Sequence, residues 1–341
     1  MRVYAIEGDF GFENLSVVER PRPTPGPEEV LIRISAVSPN YRDVLMIRGL
    51  YNPNQELPLV PFSDGVGEIV EAGEEVDRVE TGDRVSPIFA QRWHSGRPTR
   101  EKLTSALGGP LDGPLAEYMC VPAESVVEVP DHLTDAEAAT LPCAGLTAWN
   151  ALAEQGNVTA GDRVATLGTG GVSSFGLLFA RALGAEVAIT SSSDDKLERA
   201  RDLGADFGIN YEDEPEWGSE IAEWADGVGV DHVLEVGGAK TLEESIEGVR
   251  IGGHISLIGV LSGHVEDFLV TKVLMRNIRI QGVIVGHREM FENMNRAIAS
   301  HELRPVVDEV FGFDEVHEAL QFMAEGRHFG KVAIRVGESG G

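Results

Sequence analysis

The sequence predicts an α/β protein in two parts: a doubly wound parallel-sheet domain inserted into a smaller, β-rich domain. Three observations predict it. The chain has 341 residues, more than one hydrophobic core usually supports. Residues 1–130 read as short apolar segments broken by frequent Gly and Pro, the texture of strands and turns. Between residues 162 and 285, strand-like and helix-like segments alternate, the pattern of βαβ units whose parallel sheet is buried under helices.

Taken in order, residues 3–6, 30–37, 65–71, 84–88 and 116–121 are the expected strands of the β-rich part. Thr134-Asp135-Ala136-Glu137 then marks a helix start, with a capping hydroxyl and acids in the first turn, ahead of an Ala-rich run towards Leu152. In the alternating region, strands are expected at 163–167, 186–190, 206–210, 231–236, 254–260 and 279–285. Helices are expected at 172–183, 194–203, 215–226 and 242–249, with Gly184 and Gly204 closing the first two. A helix near 290–299 and a strand at 331–336 are too little to fold alone and should rejoin the N-terminal part. The expected boundaries are 1–123 with 287–341 for the β-rich domain and 124–286 for the α/β domain.

Composition excludes several classes. With 42% hydrophobic and 25% charged residues the chain is globular, and no apolar stretch reaches the ~18 residues of a membrane span. The first ten residues mix Arg2, Glu7 and Asp9 with apolar side chains, unlike a secretory signal, so a cytoplasmic protein is expected. The formal charge of -28 arises from 56 acidic against 28 basic residues. Such a surface repels nucleic acid and anionic membrane. The acids are spread along the chain rather than gathered in a tail, which points to salt adaptation. Cys120 and Cys143 are the only cysteines, too few for a disulfide framework or a four-thiolate zinc site.

The sharpest chemical signal is Leu167-Gly168-Thr169-Gly170-Gly171-Val172-Ser173, set between an expected strand and an expected helix. Gly168 permits a tight turn, Gly170 or Gly171 lets the backbone approach a pyrophosphate, and the free amides of the helix start supply donors. This is the dinucleotide fingerprint of a Rossmann domain, with Ser173 in place of its last glycine as a small residue for close helix packing. NAD-binding units carry an acid about 20 residues further on, for the ribose 2′-hydroxyl. Here the chain reads Thr190-Ser191-Ser192-Ser193, followed by Lys196. Small hydroxyls and a nearby cation suit a 2′-phosphate, so NADP(H) is preferred and NAD(H) remains possible. The alternative is that the serines cap the following helix and Lys196 is a solvated surface residue.

Several segments together resemble the medium-chain dehydrogenase/reductase superfamily over nearly the whole chain. They are Asn40-Tyr41-Arg42-Asp43, Pro61-Phe62-Ser63-Asp64-Gly65-Val66-Gly67, Gly82-Asp83-Arg84-Val85, Leu141-Pro142-Cys143-Ala144-Gly145-Leu146-Thr147-Ala148, the Gly168 turn and Gly330-Lys331-Val332. The resemblance is to the zinc-free quinone oxidoreductase-like and alcohol dehydrogenase-like branches. It implies that the β-rich part is a GroES-like substrate domain. In zinc-dependent relatives the catalytic metal is held by Cys in the first segment, Gly-His-Glu in the second and Cys in the fourth. Here those positions carry Asn40, Ser63 with Asp64, and Cys143. One thiol beside an amide, a hydroxyl and a carboxylate is a poor set for tetrahedral zinc, so no zinc is expected; the weak alternative adds His94 or His287.

Without a Lewis acid, the chemistry expected is hydride transfer to a conjugated acceptor, a quinone or α,β-unsaturated carbonyl, whose charge delocalises onto an oxygen that a donor can stabilise. By resemblance, Asn40 and Tyr51 lie beside nicotinamide and substrate. Asn40 donates to the acceptor oxygen, and Tyr51 orients the substrate or delivers a proton, with solvent an equal proton source. The resemblance also places Thr147 at the nicotinamide and brings Gly237, Gly259, Val283 and Val285 to the cofactor through backbone groups. It puts Lys331 near the cofactor phosphates, unless it is a surface lysine. The pocket is expected to draw on residues 51–59, 89–105 and 261–270. The rival readings are an alcohol dehydrogenase or carbonyl reductase on the same cofactor, and a nucleotide-binding sensor with little turnover. An exposed last strand at 279–285 would be covered by pairing across a two-fold axis, so a homodimer is expected.

Overall fold

A computed structural model of the protein describes residues 1–261 and 270–337. They form two compact units, Met1–Leu146 with Gly286–Gly341, and Thr147–Val285. The strands in chain order are β1 (Arg2–Ile6), β2 (Leu15–Glu19), β3 (Glu29–Ser38), β4 (Asp64–Ala72), β5 (Arg84–Pro87), β6 (Tyr118–Pro122) and β7 (Val126–Glu128) in the first unit. The second unit contains β8 (Arg163–Thr166), β9 (Glu186–Ser191), β10 (Phe207–Asn210), β11 (Val230–Glu235), β12 (Val249–Leu257) and β13 (Arg279–Gly282). The chain then returns to the first unit with β14 (Val307–Gly312) and β15 (Lys331–Arg335).

In the first unit, β1 and β2 pair antiparallel, and a larger sheet runs β14-β15-β3-β4-β5-β7, with β6 also pairing β3. The alternation of β3, with Val30, Ile32 and Ile34 inward and Arg33 outward, sets one face of that sheet into the core. The same core takes Phe62, Met119, Leu320 and Ile334. Residues 124–146 were expected in the α/β domain, but contacts group them with the first unit. The reason is that β7 hydrogen-bonds to β5, with Val85 opposite Glu128. The expected helix start at Thr134 is a capping box: Thr134 N donates to Glu137 Oε2 at 2.7 Å, and Glu137 N donates to Thr134 Oγ1 at 3.3 Å. The run beyond it is a series of short segments broken near Pro142.

The second unit is a six-stranded sheet in the order β10-β9-β8-β11-β12-β13, parallel throughout. The strand order reverses between β8 and β11, the switch point at which doubly wound folds bind dinucleotides. Ala165, Ala188, Ile209, Val233 and Ile255 fill the core under helices such as Trp217–Trp224. The last strand stops at Gly282, short of the expected residue 285. Val283 N still bonds Leu257 O at 3.0 Å, but Val285 adopts φ +34°, a conformation no extended strand can carry and a costly one for a β-branched residue.

Candidate functional site

In the second unit, the chain leaves β8 into the Gly168 turn. Gly168 has φ +69° and its amide donates to Thr190 Oγ1 at 3.1 Å, which ties the turn to the end of β9. Gly170 precedes the helix Gly171–Ala182, which no side chain caps among the described residues, so the first-turn amides of Gly171, Val172 and Ser173 suit an external acceptor. A Cβ on Gly168 or Gly170 would meet open space. This uncapped twelve-residue helix start fits the pyrophosphate of a dinucleotide, with Gly168, Thr169, Gly170, Gly171 and Val172 as the loop that would hold it. Ser173 does not take the packing role of the last glycine; its hydroxyl bonds Leu167 O at 2.5 Å. Close packing falls to Gly176, where a Cβ would lie 2.7 Å from Leu234 Cδ2 and 3.1 Å from Thr166 Cγ2. Its spacing one turn further along the helix was the available signal.

Ser191 closes β9, buried, and its hydroxyl accepts from Ser193 N at 3.2 Å. Ser193 caps the helix Asp194–Asp202 by accepting from Lys196 N; Ser192 is exposed. Part of the serine run therefore serves as a helix cap, as the alternative reading had it. Asp194 is held by Asn210 Nδ2 at 3.0 Å. Thr147 is buried. Gly237 and Gly259 follow β11 and β12, but the Gly237 amide donates to Glu235 Oε1 at 2.8 Å and the Gly259 amide to Glu235 O at 3.2 Å. The carbonyl of Val285 accepts from Asn150 Nδ2 at 2.8 Å. The amides of Gly237 and Gly259 and the carbonyl of Val285 are therefore engaged within the unit, while Val283 is buried and bonded to β12. Of the expected pocket segment 261–270, residues 262–269 lie outside the described residues.

The first unit gathers a second cluster, largely buried and rich in charge. Asn40 precedes the helix Tyr41–Ile47, and its backbone amide donates to Asp43 Oδ2 at 2.8 Å. Asp43 pairs with Arg42 at 3.0 Å. Arg42 also donates to Leu107 O and lies 5.1 Å from the Tyr51 ring and 5.0 Å from the Phe89 ring. Tyr51 itself is 52% exposed. On the other side, Asp64 accepts from Ser63 Oγ at 2.7 Å and from Cys143 N at 3.2 Å. Lys331, the first residue of β15, is turned inward and only 4% exposed. Its ammonium donates to Pro39 O at 2.7 Å and to Asn40 Oδ1 at 2.6 Å. The expectation that Lys331 reaches cofactor phosphates is corrected on this geometry, because the ammonium is committed to acceptors inside its own unit.

Burial pushes the Asp64 carboxyl up to about 6, against the pull of Lys331, the Asn40 amide and the Ser63 hydroxyl. Burial likewise raises Asp43, opposed mainly by Arg42, and drives the Cys143 thiol far above its ordinary value, with Asp64 adding to the effect. Burial lowers Lys331, while Asp64, Cys143 and Asp43 hold it up. Asn40 Nδ2 is buried and finds no partner of hydrogen-bond geometry.

The donor set does not fit catalytic zinc. One thiol is present, Asn40 turns its one ligating atom to an ammonium, the Ser63 hydroxyl is spent on Asp64, and Asp64 is a lone carboxylate. His94 Nε2 is engaged with Gln91 O and Ser125 Oγ, and His287 Nδ1 accepts from Met290 N at the start of a helix. Sequence reasoning placed Asn40, Ser63, Asp64 and Cys143 in one site, but missed that Lys331 joins them, since 292 positions separate Lys331 from Pro39.

The chain matches the alcohol dehydrogenase GroES-like domain family over residues 26–131 and the zinc-binding dehydrogenase family over residues 171–300. A zinc-type alcohol dehydrogenase-like protein of Schizosaccharomyces pombe is 43% identical, covering 98% of this chain and 99% of that one. Among solved structures, an NAD-dependent alcohol dehydrogenase is 32% identical with a TM-score of 0.91, over 99% of this chain and 100% of that one. A 2-octenoyl-CoA carboxylase reductase, in complex with NADP and 2-octenoyl-CoA, is 27% identical with a TM-score of 0.86, over 95% and 82%. With the sheet orders and the glycine turn described above, these likenesses identify the chain as a member of the medium-chain dehydrogenase/reductase superfamily, an alcohol dehydrogenase-like oxidoreductase with a GroES-like and a Rossmann domain.

Proposed function

We propose that the protein is a zinc-independent, NADP-preferring reductase of quinones or α,β-unsaturated carbonyls. The observation that carries this reading is the Lys331 cluster, whose atoms suit a buried ammonium rather than a metal. Gly168, Thr169, Gly170, Gly171 and Val172 would hold a reduced dinucleotide, which would supply a hydride for the β-carbon of an enone; negative charge would then fall on the carbonyl oxygen. The reading assigns Asn40 Nδ2, buried beside Asp64, as the donor to that oxygen. A proton then returns to the α-carbon from Tyr51 or from solvent. Ser191, Ser192 and Lys196 favour the 2′-phosphate of NADP, and the reductase that binds NADP with an unsaturated thioester supports both halves of the reading.

The second reading, a carbonyl reductase or alcohol dehydrogenase, is favoured by the likeness to an NAD-dependent alcohol dehydrogenase. The test is binding of NADPH against NADH to metal-stripped protein in molar salt, followed by oxidation of the preferred cofactor with quinones and enones. Tight NADPH binding with turnover unchanged by chelator is the expected result. Preference for NADH would reject the role of the serines, and turnover restored only by added zinc would reject the metal-free chemistry.

A further inference from the structure

We propose that the ammonium of Lys331 is the resident cation of the Asp64–Cys143 site, filling the electrostatic place of a metal and keeping divalent ions out. The inference deepens the zinc-independent reading and rests on it.

The charge balance is the first argument. One pair of opposite charges in the cluster is in contact, Arg42 with Asp43 at 3.0 Å, while Lys331 bonds Pro39 O and Asn40 Oδ1 and attracts Asp64 through space. The hydrogen-bond partners of Asp64 are neutral: the Ser63 hydroxyl and the Cys143 amide. A buried carboxylate without a cation is costly, and Lys331 is the cation left once Arg42 is paired. The ammonium and the guanidinium thus already stand among the two carboxylates, so a further dication would enter beside a resident cation.

Ligand geometry is the second. An amide binds a metal through its oxygen, and Asn40 Oδ1 already accepts from Lys331 Nζ at 2.6 Å. A metal bonded to that oxygen at about 2.0–2.2 Å would sit within a few ångströms of the ammonium, where like charges in a poorly solvated site repel strongly. The same contact settles the amide's orientation. An ammonium has donors and no acceptor, so oxygen must face Lys331 and Nδ2 must face away. Lys331 is thus a positioning residue as well: it determines that Asn40 presents a donor.

The test uses cobalt(II), whose bond to a thiolate absorbs in the near ultraviolet, with metal content measured after gel filtration. The full-length wild type, Lys331→Ala and Lys331→Arg are titrated, each with and without Ser63→His as an added ligand. The expected result is no cobalt–thiolate band for wild type or Lys331→Arg, in either background. Lys331→Ala should gain the band and bind cobalt at least about tenfold more tightly than wild type, the effect being larger with Ser63→His. If folded Lys331→Ala stays as blind to metal as wild type in both backgrounds, the inference is overturned while the zinc-independent reading stands. A stoichiometric band in wild type would overturn that reading as well. Should Lys331→Ala fold poorly, rescue of its melting temperature by cobalt or by ethylammonium supports a cation site. A band in Ser63→His with Lys331 intact refutes it without needing the Ala variant.

Discussion

Asn40 is the residue at which structure and chemistry meet, since its carboxamide is clamped at the oxygen by Lys331 and its nitrogen is buried beside Asp64. Removing one donor to a developing oxyanion costs about 100-fold or more in turnover. Asn40→Ala is expected to lower kcat by about that factor with little change in NADPH affinity. Steady-state kinetics on an enone, beside direct titration of the cofactor, would show this, and a loss confined to KM would point to substrate binding instead. Tyr51→Phe separates the proton sources: unchanged turnover assigns the proton to solvent. A different residue, His254, governs acid stability. It is buried, accepts from Arg279 Nε at Nδ1 and faces Ser256 Oγ at 3.0 Å through Nε2. Burial, with the Arg279 charge, lowers its pKa to about 4, below the ordinary 6.5. The folded state therefore prefers the neutral ring. Its stabilisation is fully present above pH 6.5 and is lost as pH falls through 4, on the order of 2–3 kcal/mol. Urea unfolding of wild type and His254→Gln at pH 7.5 and 4 should show that the stability difference between them shrinks by this amount.

At the scale of elements, the helix Gly171–Ala182 lies against the sheet through Gly176, where a methyl group would press on Leu234 and Thr166. Gly176→Val is expected to destabilise by about 1–3 kcal/mol through overpacking and to weaken dinucleotide binding, because the same helix carries the phosphate loop at its start. Chemical denaturation and NADPH titration of the variant check both effects; destabilisation with unaltered affinity would separate helix seating from the loop. The helix was legible in the sequence from Gly168 to Gly184, but which small residue makes the close approach was not. Ser173 and Gly176 both read as small, and only the positions of Thr166 and Leu234 across the helix distinguish them. The end of β13 was illegible for a similar reason: Val283, Ile284 and Val285 all favour strands by residue type, while the actual backbone turns at Val285.

For the molecule as a whole, the charge of -28 is the dominant surface property. Its self-repulsion is screened by salt, so the melting temperature is expected to rise steadily from dilute buffer to molar KCl; a flat response would reject salt adaptation. We also propose a homodimer through β13, the last strand of its sheet order, which pairs with β12 on one side. Near it in sequence, Leu274, Met275 and Ile284 are 73%, 79% and 52% exposed, apolar surface that a second copy would cover. Light scattering in molar KCl should give twice the mass of the 36.7 kDa chain, and a monomer would reject the pairing. Among the described residues no helix is long and apolar enough to cross a membrane.

The sequence by itself determined the two-part α/β architecture and the phosphate turn, because periodicity and short-range motifs encode local geometry directly; the group of Asn40, Ser63, Asp64 and Cys143 came from the family resemblance. It did not determine where residues 124–146 pack, that the Gly237 and Gly259 amides are taken by Glu235, or that Lys331 faces inward. Each of these depends on contacts between distant segments, and a lysine after a glycine turn carries no local sign of whether its ammonium meets water or buried acceptors. That choice belonged to the tertiary structure, where β15 brings Lys331 beside Pro39 and Asn40 and the two oxygens satisfy its buried ammonium.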